Sequence, residues 1–333
     1  MATYRDVQGY RVRKVSSDPD NAKVGQVWYN SISQQIKVRG FRAAAWSAGG
    51  NINNVRFQGG YAGIQTAALY AGGYDVFSGG EANSEEYNGT SWTEGNNINN
   101  TRWSAYGGGT QTAAWIAGGF LPSKSGFQHG ETEEYDGTSW TESGDLNTKR
   151  SDGDGFGIQT AGVLVGGGGY GQSPSGPFAN VEHYNGSSWT NATAIPAANV
   201  YGMGTGTQTA GLFCGGVVPG STAAVTTTLE YNGSSWTSSG ALGTAKKRAA
   251  LCGTQTAGFV FSGATGPGNS LSPVAQEYDG STWSAQPAEL SNNHYEKKGV
   301  GTTSAALGFA GYFSTATEEF LSEETSTKTI DVS

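Results

Sequence analysis

The stretch Tyr87-Asn88-Gly89-Thr90-Ser91-Trp92 recurs four more times in this chain with little change. The later copies are YDGTSW at 135–140, YNGSSW at 184–189 and at 231–236, and YDGSTW at 278–283. A fixed period is the signature of a repeat architecture, in which each unit is one supersecondary element. The tryptophans of these copies, with one that precedes them, lie 46 to 49 residues apart: Trp46, Trp92, Trp140, Trp189, Trp236 and Trp283.

A second phrase, Gln-Thr-Ala, recurs in the same frame, with Thr303-Ser304-Ala305 as a degenerate sixth copy. Seven residues after each copy begins comes a Gly-Gly pair or its remnant, as in Ser262-Gly263 and Ala310-Gly311. The second glycine is present in all six units, which predicts a bulge or a close backbone contact there. The recurring glutamines predict a turn-capping role: Gln65, Gln111, Gln159, Gln208 and Gln255.

Each unit predicts four strands, called a to d in chain order. Strand a leads to the Gln-Thr turn, strand b is the apolar run after it, strand c ends at the tyrosine and strand d carries the tryptophan. The run 113–117 is apolar at consecutive positions, which predicts burial of both faces. Asn-Gly or Asp-Gly suits the turn from c to d. Sheets buried on both faces must stack on copies of themselves, and radial stacking gives a β-propeller.

The order Gly-Gly, Tyr, Trp at this period resembles the kelch repeat family of β-propellers, over roughly residues 41–320. General kelch repeats do not require Gln-Thr-Ala. That phrase, together with Tyr-Asn-Gly-Thr-Ser-Trp, resembles the kelch-like proteins encoded by marine tailed phages. The segment GQVWYN at 25–30, followed by IKVRG at 36–40, resembles a short β module of phage tail and capsid-surface proteins.

We therefore predict an all-β fold, a six-bladed kelch-like β-propeller over 41–333, preceded by a basic anchoring segment with a β-hairpin over 1–40. Residues 43–47, which include Trp46, predict a strand d that pairs with the last unit. The tail 327–332 also predicts a strand. Either the tail takes that place, or both termini share the last sheet. Seven blades, with one built from 24–46 and the tail, stay open as the alternative.

Composition and charge exclude several classes of protein. Glycine supplies 54 of 333 residues and charged residues only 14%, against averages of about 7% and about 25%. This excludes helical bundles and disordered chains. Residues 1–45 carry eight basic and three acidic side chains, while the net charge of the chain is −8. An acidic body argues against nucleic acid as a partner. The basic arm docks on an acidic partner or folds back on the acidic body.

The sequence predicts no catalytic residue, no cofactor and no metal site. Cys214 and Cys252 lie in apolar runs typical of buried thiols, and the three histidines are not clustered. Asp152-Gly153-Asp154 could begin a calcium loop, but the later acidic ligand is missing. The N-terminus has no apolar signal segment, and no apolar run is long enough for a membrane helix.

The loops between strands b and c vary in length, whereas all other spacings are nearly fixed. Loops on a rigid scaffold often carry binding, and aromatic side chains there suit sugar stacking or protein contact. The alternative is that these side chains pack their own loops. The candidate ligand-binding residues are Tyr74, Phe77, Phe127, His129, Tyr170 and Phe178.

The phage resemblance implies a non-enzymatic virion structural or adhesion protein, such as a tail fibre or a capsid decoration, made in the host cytoplasm. Its N-terminal segment would attach to other virion proteins, in an oligomeric arrangement, and its propeller would contact host-surface glycans or proteins. The alternative from another class is a cellular kelch-type scaffold for protein–protein interaction.

Overall fold

The structure, a computed structural model, describes residues 12–121, 128–169 and 176–330. Its regular secondary structure is entirely β, so the all-β prediction is confirmed for these residues, and no helix in them is long and apolar enough to cross a membrane. In chain order the strands are β1 (Arg13–Val15), β2 (Val27–Asn30), β3 (Gln35–Arg42), β4 (Ala45–Ala48), β5 (Gly60–Ile64), β6 (Ala67–Asp75), β7 (Gly79–Tyr87), β8 (Trp92–Glu94), β9 (Tyr106–Thr110), β10 (Ala113–Ala117), β11 (Thr132–Tyr135), β12 (Trp140–Ser143), β13 (Asp154–Ile158), β14 (Ala161–Val165), β15 (Gly168–Gly169), β16 (Gly176–Pro177), β17 (Val181–Tyr184), β18 (Trp189–Ala192), β19 (Val200–Thr207), β20 (Ala210–Val217), β21 (Thr228–Tyr231), β22 (Trp236–Ser238), β23 (Ala250–Thr254), β24 (Ala257–Phe261), β25 (Ala264–Thr265), β26 (Ser270–Leu271), β27 (Ala275–Tyr278), β28 (Trp283–Gln286), β29 (Lys298–Gly301), β30 (Ala305–Phe309), β31 (Glu318–Leu321) and β32 (Glu324–Ile330).

The chain divides into two compact units. Unit 1 comprises Met1–Ala45 with Ser322–Ser333, and unit 2 comprises Trp46–Leu321. This division differs from the predicted boundary at residue 40, because the C-terminal strand belongs to unit 1. There β32 pairs with β3 in antiparallel fashion from Ile36 opposite Ile330 to Arg42 opposite Glu324. The tail therefore does not enter the last sheet of unit 2.

Unit 1 is one sheet with the strand order β1-β2-β3-β32, in which β2 and β3 form a hairpin. The buried Trp28 anchors the sheet, and Asp18 fixes the residues around that ring. Asp18 accepts hydrogen bonds from Lys37 Nζ at 2.7 Å, Asn30 Nδ2 at 2.8 Å and Trp28 Nε1 at 3.0 Å. These bonds, that of Lys37 first, lower the pKa of Asp18 to about 2.

In unit 2 the described strands form four-stranded antiparallel sheets, each in the predicted order a, b, c, d. In sheet VI the outer strand is β4, which carries Trp46, as predicted for residues 43–47. Two short hairpins, β15-β16 and β25-β26, extend the b–c connections. The sheets are I (β5–β8), II (β9–β12), III (β13, β14, β17, β18), IV (β19–β22), V (β23, β24, β27, β28) and VI (β29, β30, β31, β4).

The first strands of neighbouring sheets contact one another in sequence order from β5 to β29, and β29 contacts β5. Glycine allows this close approach: a Cβ on Gly107 in β9 would lie 2.5 Å from the Tyr61 nitrogen in β5. A Cβ on Gly155 would collide with the Trp115 ring at 2.6 Å. The architecture is consistent with a β-propeller-like fold, and it explains why strand a is so rich in glycine.

The recurring aromatic residues join neighbouring sheets. The indole nitrogens of Trp92, Trp189 and Trp283 each donate to a threonine hydroxyl of the preceding sheet at 2.9 Å. Tyr135 in sheet II donates in the same way to Glu86 of sheet I at 2.6 Å. Buried indole and phenol groups need such partners, and each phrase supplies at least one polar contact between sheets, through its tyrosine hydroxyl.

The recurring glutamines also join sheets, which corrects the predicted turn-capping role. The amide of Gln111 in sheet II donates to the carbonyls of Ala68 and Tyr87 in sheet I, at 3.0 and 2.7 Å. The tight turn already closes through backbone pairing of Thr110 with Ala113, so the long side chain is available to the preceding sheet. The same pair of bonds forms at Gln65, Gln159, Gln208 and Gln255.

Candidate functional site

One residue from each sheet of unit 2 lines a small cavity of about 30 Å³ at the start of the first strands. Each lies seven residues before the recurring Gln, or before Thr303 in sheet VI. All six have a φ between 52° and 63°, in the left-handed region, and none is glycine. We call them the mouth ring: Gln58, Ser104, Asp152, Tyr201, Arg248 and Glu296.

The backbone conformation of the mouth ring is energetically unfavourable for its residues. A left-handed conformation costs an L-residue about 1–2 kcal/mol, which glycine would avoid. Nevertheless every sheet places a polar or charged side chain here. Strained residues that line a cavity point to a functional role for their side chains, so the mouth ring is a candidate site rather than a mere turn.

Four of the six ring residues are linked by direct contacts between side chains. The Nε atom of Arg248 lies 3.3 Å from Oε1 of Glu296, which also accepts a hydrogen bond from Gln58 at 3.2 Å. The guanidinium of Arg248 stacks on the Tyr201 ring at 3.8 Å. Burial alone would lower the pKa of Arg248, but Glu296 raises it above its ordinary value. Arg248 is therefore a fixed cation whose charge is already balanced.

Two carboxyl groups of sheet III face the same cavity, and burial raises the pKa of Asp152 and of Asp154 to about 6. Asp154 accepts hydrogen bonds from the Tyr61 hydroxyl at 3.1 Å and from the Gly155 and Gly204 nitrogens at 2.9 and 2.8 Å. Its oxygens are thus held by donors of the protein. Among the described residues, no cluster of three His, Cys, Asp or Glu side chains could hold a metal ion.

Tyr61 separates this cavity from a second one of about 250 Å³, which lies toward the a–b turns. The second cavity is walled largely by the glycines of the six first strands. It therefore offers few side-chain groups for recognition. The chemistry of unit 2 is concentrated on the side of the mouth ring.

Outside the mouth ring, sheets VI, I and II each contribute a pair of aromatic side chains to the rim. Each pair joins the residue before the ring position to the residue after the Gly-Gly pair or its remnant. Rings within a pair lie 4.6 to 5.7 Å apart, and consecutive pairs are 5.0 and 5.2 Å apart. This aromatic arc consists of Tyr295 and Tyr312, Phe57 and Tyr74, and Trp103 and Phe120.

The predicted ligand-binding residues differ in how exposed the structure leaves them. Tyr74 belongs to the aromatic arc and is half-buried, and Phe77 is 89% exposed. Phe178 and His129 are buried, so they pack beneath the rim instead of presenting a contact surface. For these two residues the alternative of loop packing holds. Phe127 and Tyr170 lie outside the described residues.

The residues that bear chemistry elsewhere have structural roles. Cys214 and Cys252 are buried, and burial raises the pKa of both thiols far above its ordinary value. His183 contacts the Tyr231 hydroxyl through Nε2 at 3.0 Å, in the place that Glu86 takes opposite Tyr135. The arrangement of the rim suits binding, by hydrogen bonds from the mouth ring and by stacking on the arc.

The sequence reasoning missed the mouth ring, although one signal for it was present. The residue seven positions before the recurring Gln, or before Thr303 in the last unit, is polar or charged in five units and tyrosine in the sixth. Its residue type differs from unit to unit, so a search for identical phrases passes over it. The chain matches no protein-family model and no curated protein.

Proposed function

We propose that the chain is a six-bladed, kelch-like β-propeller that serves as a non-enzymatic structural and adhesion component of a virion. Its mouth-ring side would contact a host-surface glycan or protein. The succession of contacts among first strands, which returns from β29 to β5, supports the six blades. The completion of sheet VI by β4 supports a closed ring.

The aromatic arc is the observation that carries the adhesion role. Its members are contiguous along the rim of three sheets, and five of the six are only half-buried. Phe313, 53% exposed, contacts Tyr312 at 4.3 Å, so exposed aromatic surface continues beyond the arc. Contiguous exposed apolar surface with polar neighbours marks interaction sites. Aromatic faces beside hydrogen-bonding groups suit the C–H faces and hydroxyls of sugars.

Unit 1 would supply the attachment to other virion proteins. Its sequence is basic, in contrast with the acidic remainder of the chain. Its sheet order leaves β1 and β32 as edge strands within the described residues, and edge strands are natural templates for pairing with another chain. The resemblance of 25–40 to phage surface modules supports the same role.

The adhesion role is tested with the full-length chain on host cells and on a glycan array. Phe77→Ala and Phe313→Ala each remove an exposed ring from the rim side, and each should weaken binding about tenfold or more, since an aromatic contact contributes roughly 1–3 kcal/mol. Melting temperatures should not change, because both side chains are exposed.

The matched control is Ile158→Ala, which removes an apolar side chain of similar exposure, 54%, beside an a–b turn. This control should bind like the unaltered chain. Equal binding by all three variants would contradict the rim as the contact surface. Binding to a purified intracellular protein, with no binding to host cells or to glycans, would favour the scaffold alternative.

A further inference from the structure

Lys247 is a buried lysine that lacks a counter-ion among the described residues. It is 5% exposed, and its ammonium donates to the Thr222 carbonyl at 2.8 Å. No carboxylate lies within ion-pair distance of it in the described chain. Burial, and then the nearby Arg248, lowers its pKa. Lysine is almost never buried unless it is paired, so this cation calls for an explanation.

The other buried lysines of unit 2 show how the protein normally satisfies such a group. Lys246 donates to the carbonyls of Ser262 and Ser272 and contacts the Ser272 hydroxyl, at 2.7, 3.4 and 3.2 Å. Lys297 forms an ion pair with Glu318 at 3.4 Å. Lys247 has one such partner among the described residues, and it lines a groove that neither of the other two lysines reaches.

The groove has a volume of about 380 Å³, which is in the range of small-ligand sites. It lies between the b–c connections of sheets III, IV and V, and Tyr201 and Arg248 connect it to the mouth ring. Its only charged lining residues among those described are Lys247 and Arg248. Its apolar walls are Pro177, Pro219, Pro267, Val200, Val217 and Val218.

The groove exists because the rim pairs are small on this side. Where sheets VI, I and II have two aromatic rings, sheet IV pairs Val200 with Val217 and sheet V pairs Lys247 with Ala264. Two aromatic rings would fill this space, as they do across the rim. The repeat thus makes an aromatic half and an open, cationic half.

We propose that this groove binds a carboxylated saccharide residue, with Lys247 contacting the carboxylate and the proline and valine walls receiving the sugar's C–H face. Arg248 is neutralised by Glu296, so Lys247 supplies the unbalanced charge. A charged hydrogen bond to a carboxylate also gives the ammonium the further acceptor that it lacks. The inference rests on the proposed glycan contact and specifies the class of glycan.

The test uses the full-length chain and two probes, a tetrasaccharide that contains glucuronate and the same tetrasaccharide with its carboxyl groups reduced to alcohols. Calorimetry should show at least tenfold tighter binding of the carboxylated probe, with a preference that weakens as salt rises. Lys247→Gln should abolish this preference. Lys149→Gln, which removes one exposed cation outside the groove, should retain it.

A second pair of variants leaves the buried lysine intact. Thr222 is exposed and its carbonyl accepts from Lys247, so Thr222→Asp places a carboxylate beside the ammonium and Thr222→Asn is its neutral isostere. The aspartate variant should bind the carboxylated probe at least tenfold more weakly than the unaltered chain does. The asparagine variant should bind this probe with unchanged affinity. Equal affinity for the two probes, or equal behaviour of the two variants, overturns the inference.

Host-cell adhesion, measured on the same preparations, separates the two proposals. Adhesion that is identical for Thr222→Asp and Thr222→Asn overturns the groove and leaves the adhesion role standing. Loss of adhesion in the aspartate variant alone supports both. Absence of adhesion by the unaltered chain overturns the proposed function, whatever the calorimetry shows.

Discussion

Arg102 illustrates what the repeat demands of a single side chain. It is fully buried, and its Nη2 atom lies 2.6 Å from Oε1 of the equally buried Glu133. Sheets I and III contain the same buried pair. In sheet IV, Asn199 and Leu229 stand at the equivalent positions, and both line an apolar cavity of about 90 Å³. In sheet IV the two charges are thus replaced together, which avoids the high cost of one unpaired buried charge.

Sheet IV therefore predicts how sheet II will respond to substitution. Glu133→Ala leaves the Arg102 guanidinium buried and unpaired, and it should lower the free energy of unfolding by about 3–5 kcal/mol. The double variant Arg102→Asn with Glu133→Leu reproduces the sheet IV residues and should cost clearly less. Denaturant titration of both variants measures the difference, and a double variant at least as destabilised as the single one would refute the argument.

For single residues, the sequence predicted which positions belong to the repeat better than it predicted whether a side chain is buried. The positions of Trp140 and Gln111 follow from the repeat, because the packing of neighbouring sheets fixes their spacing. The burial of Phe178 and His129 does not follow, since a loop aromatic can face either the core or the solvent. The left-handed backbone of the mouth ring could not be predicted either, because six different residue types adopt that φ.

The element scale is best seen where strand b ends, at the Gly-Gly pair. Its first position has a φ between 55° and 67°, which L-residues tolerate at some cost, and Ser262 and Ala310 occupy it in two sheets. Its second position has a φ between 83° and 119° and is glycine in all six sheets. A Cβ on Gly119 would lie 2.4 Å from the Trp103 carbonyl oxygen. The predicted close backbone contact is confirmed.

The two positions should therefore respond differently to the same substitution. Gly118→Ala places alanine where sheet VI already has it, but its Cβ would lie 2.7 Å from the Arg150 carbonyl oxygen, so it should cost at least the roughly 1–2 kcal/mol of a left-handed alanine. Gly119→Ala combines a closer approach to backbone, 2.4 Å, with a φ of 91° that lies further from the left-handed minimum, so it should cost more than Gly118→Ala. Chemical denaturation of the two variants, side by side, decides the matter. Equal losses of stability would mean that the closer backbone contact at Gly119 does not add to the cost of a side chain there.

At the scale of the whole molecule, the sequence predicted strand order well and the use of the termini only in part. The four strands per unit and the isolated strand around Trp46 follow from hydrophobic pattern and turn chemistry. The tail has the pattern of a strand, but pattern does not name its partner. The partner is β3, with which it pairs along the whole of β32 in unit 1. Long-range pairing of this kind depends on which edge is free, and a single sequence does not show that.

The proposed closure of unit 2 into a ring can be tested with two truncations that differ by five residues. A fragment of residues 45–321 retains β4, so it should unfold as cooperatively as the full chain even though unit 1 is gone. A fragment of residues 50–321 loses β4 and with it Trp46, whose ring lies 4.9 Å from Phe261 and 5.2 Å from Phe320. Removing a packed aromatic side chain typically costs about 3–5 kcal/mol, and the loss also exposes the edge of β31.

The shorter fragment should therefore melt at a clearly lower temperature, and a peptide of residues 41–49 added in trans should restore part of the loss. Identical melting of the two fragments would show that β4 does not close the ring.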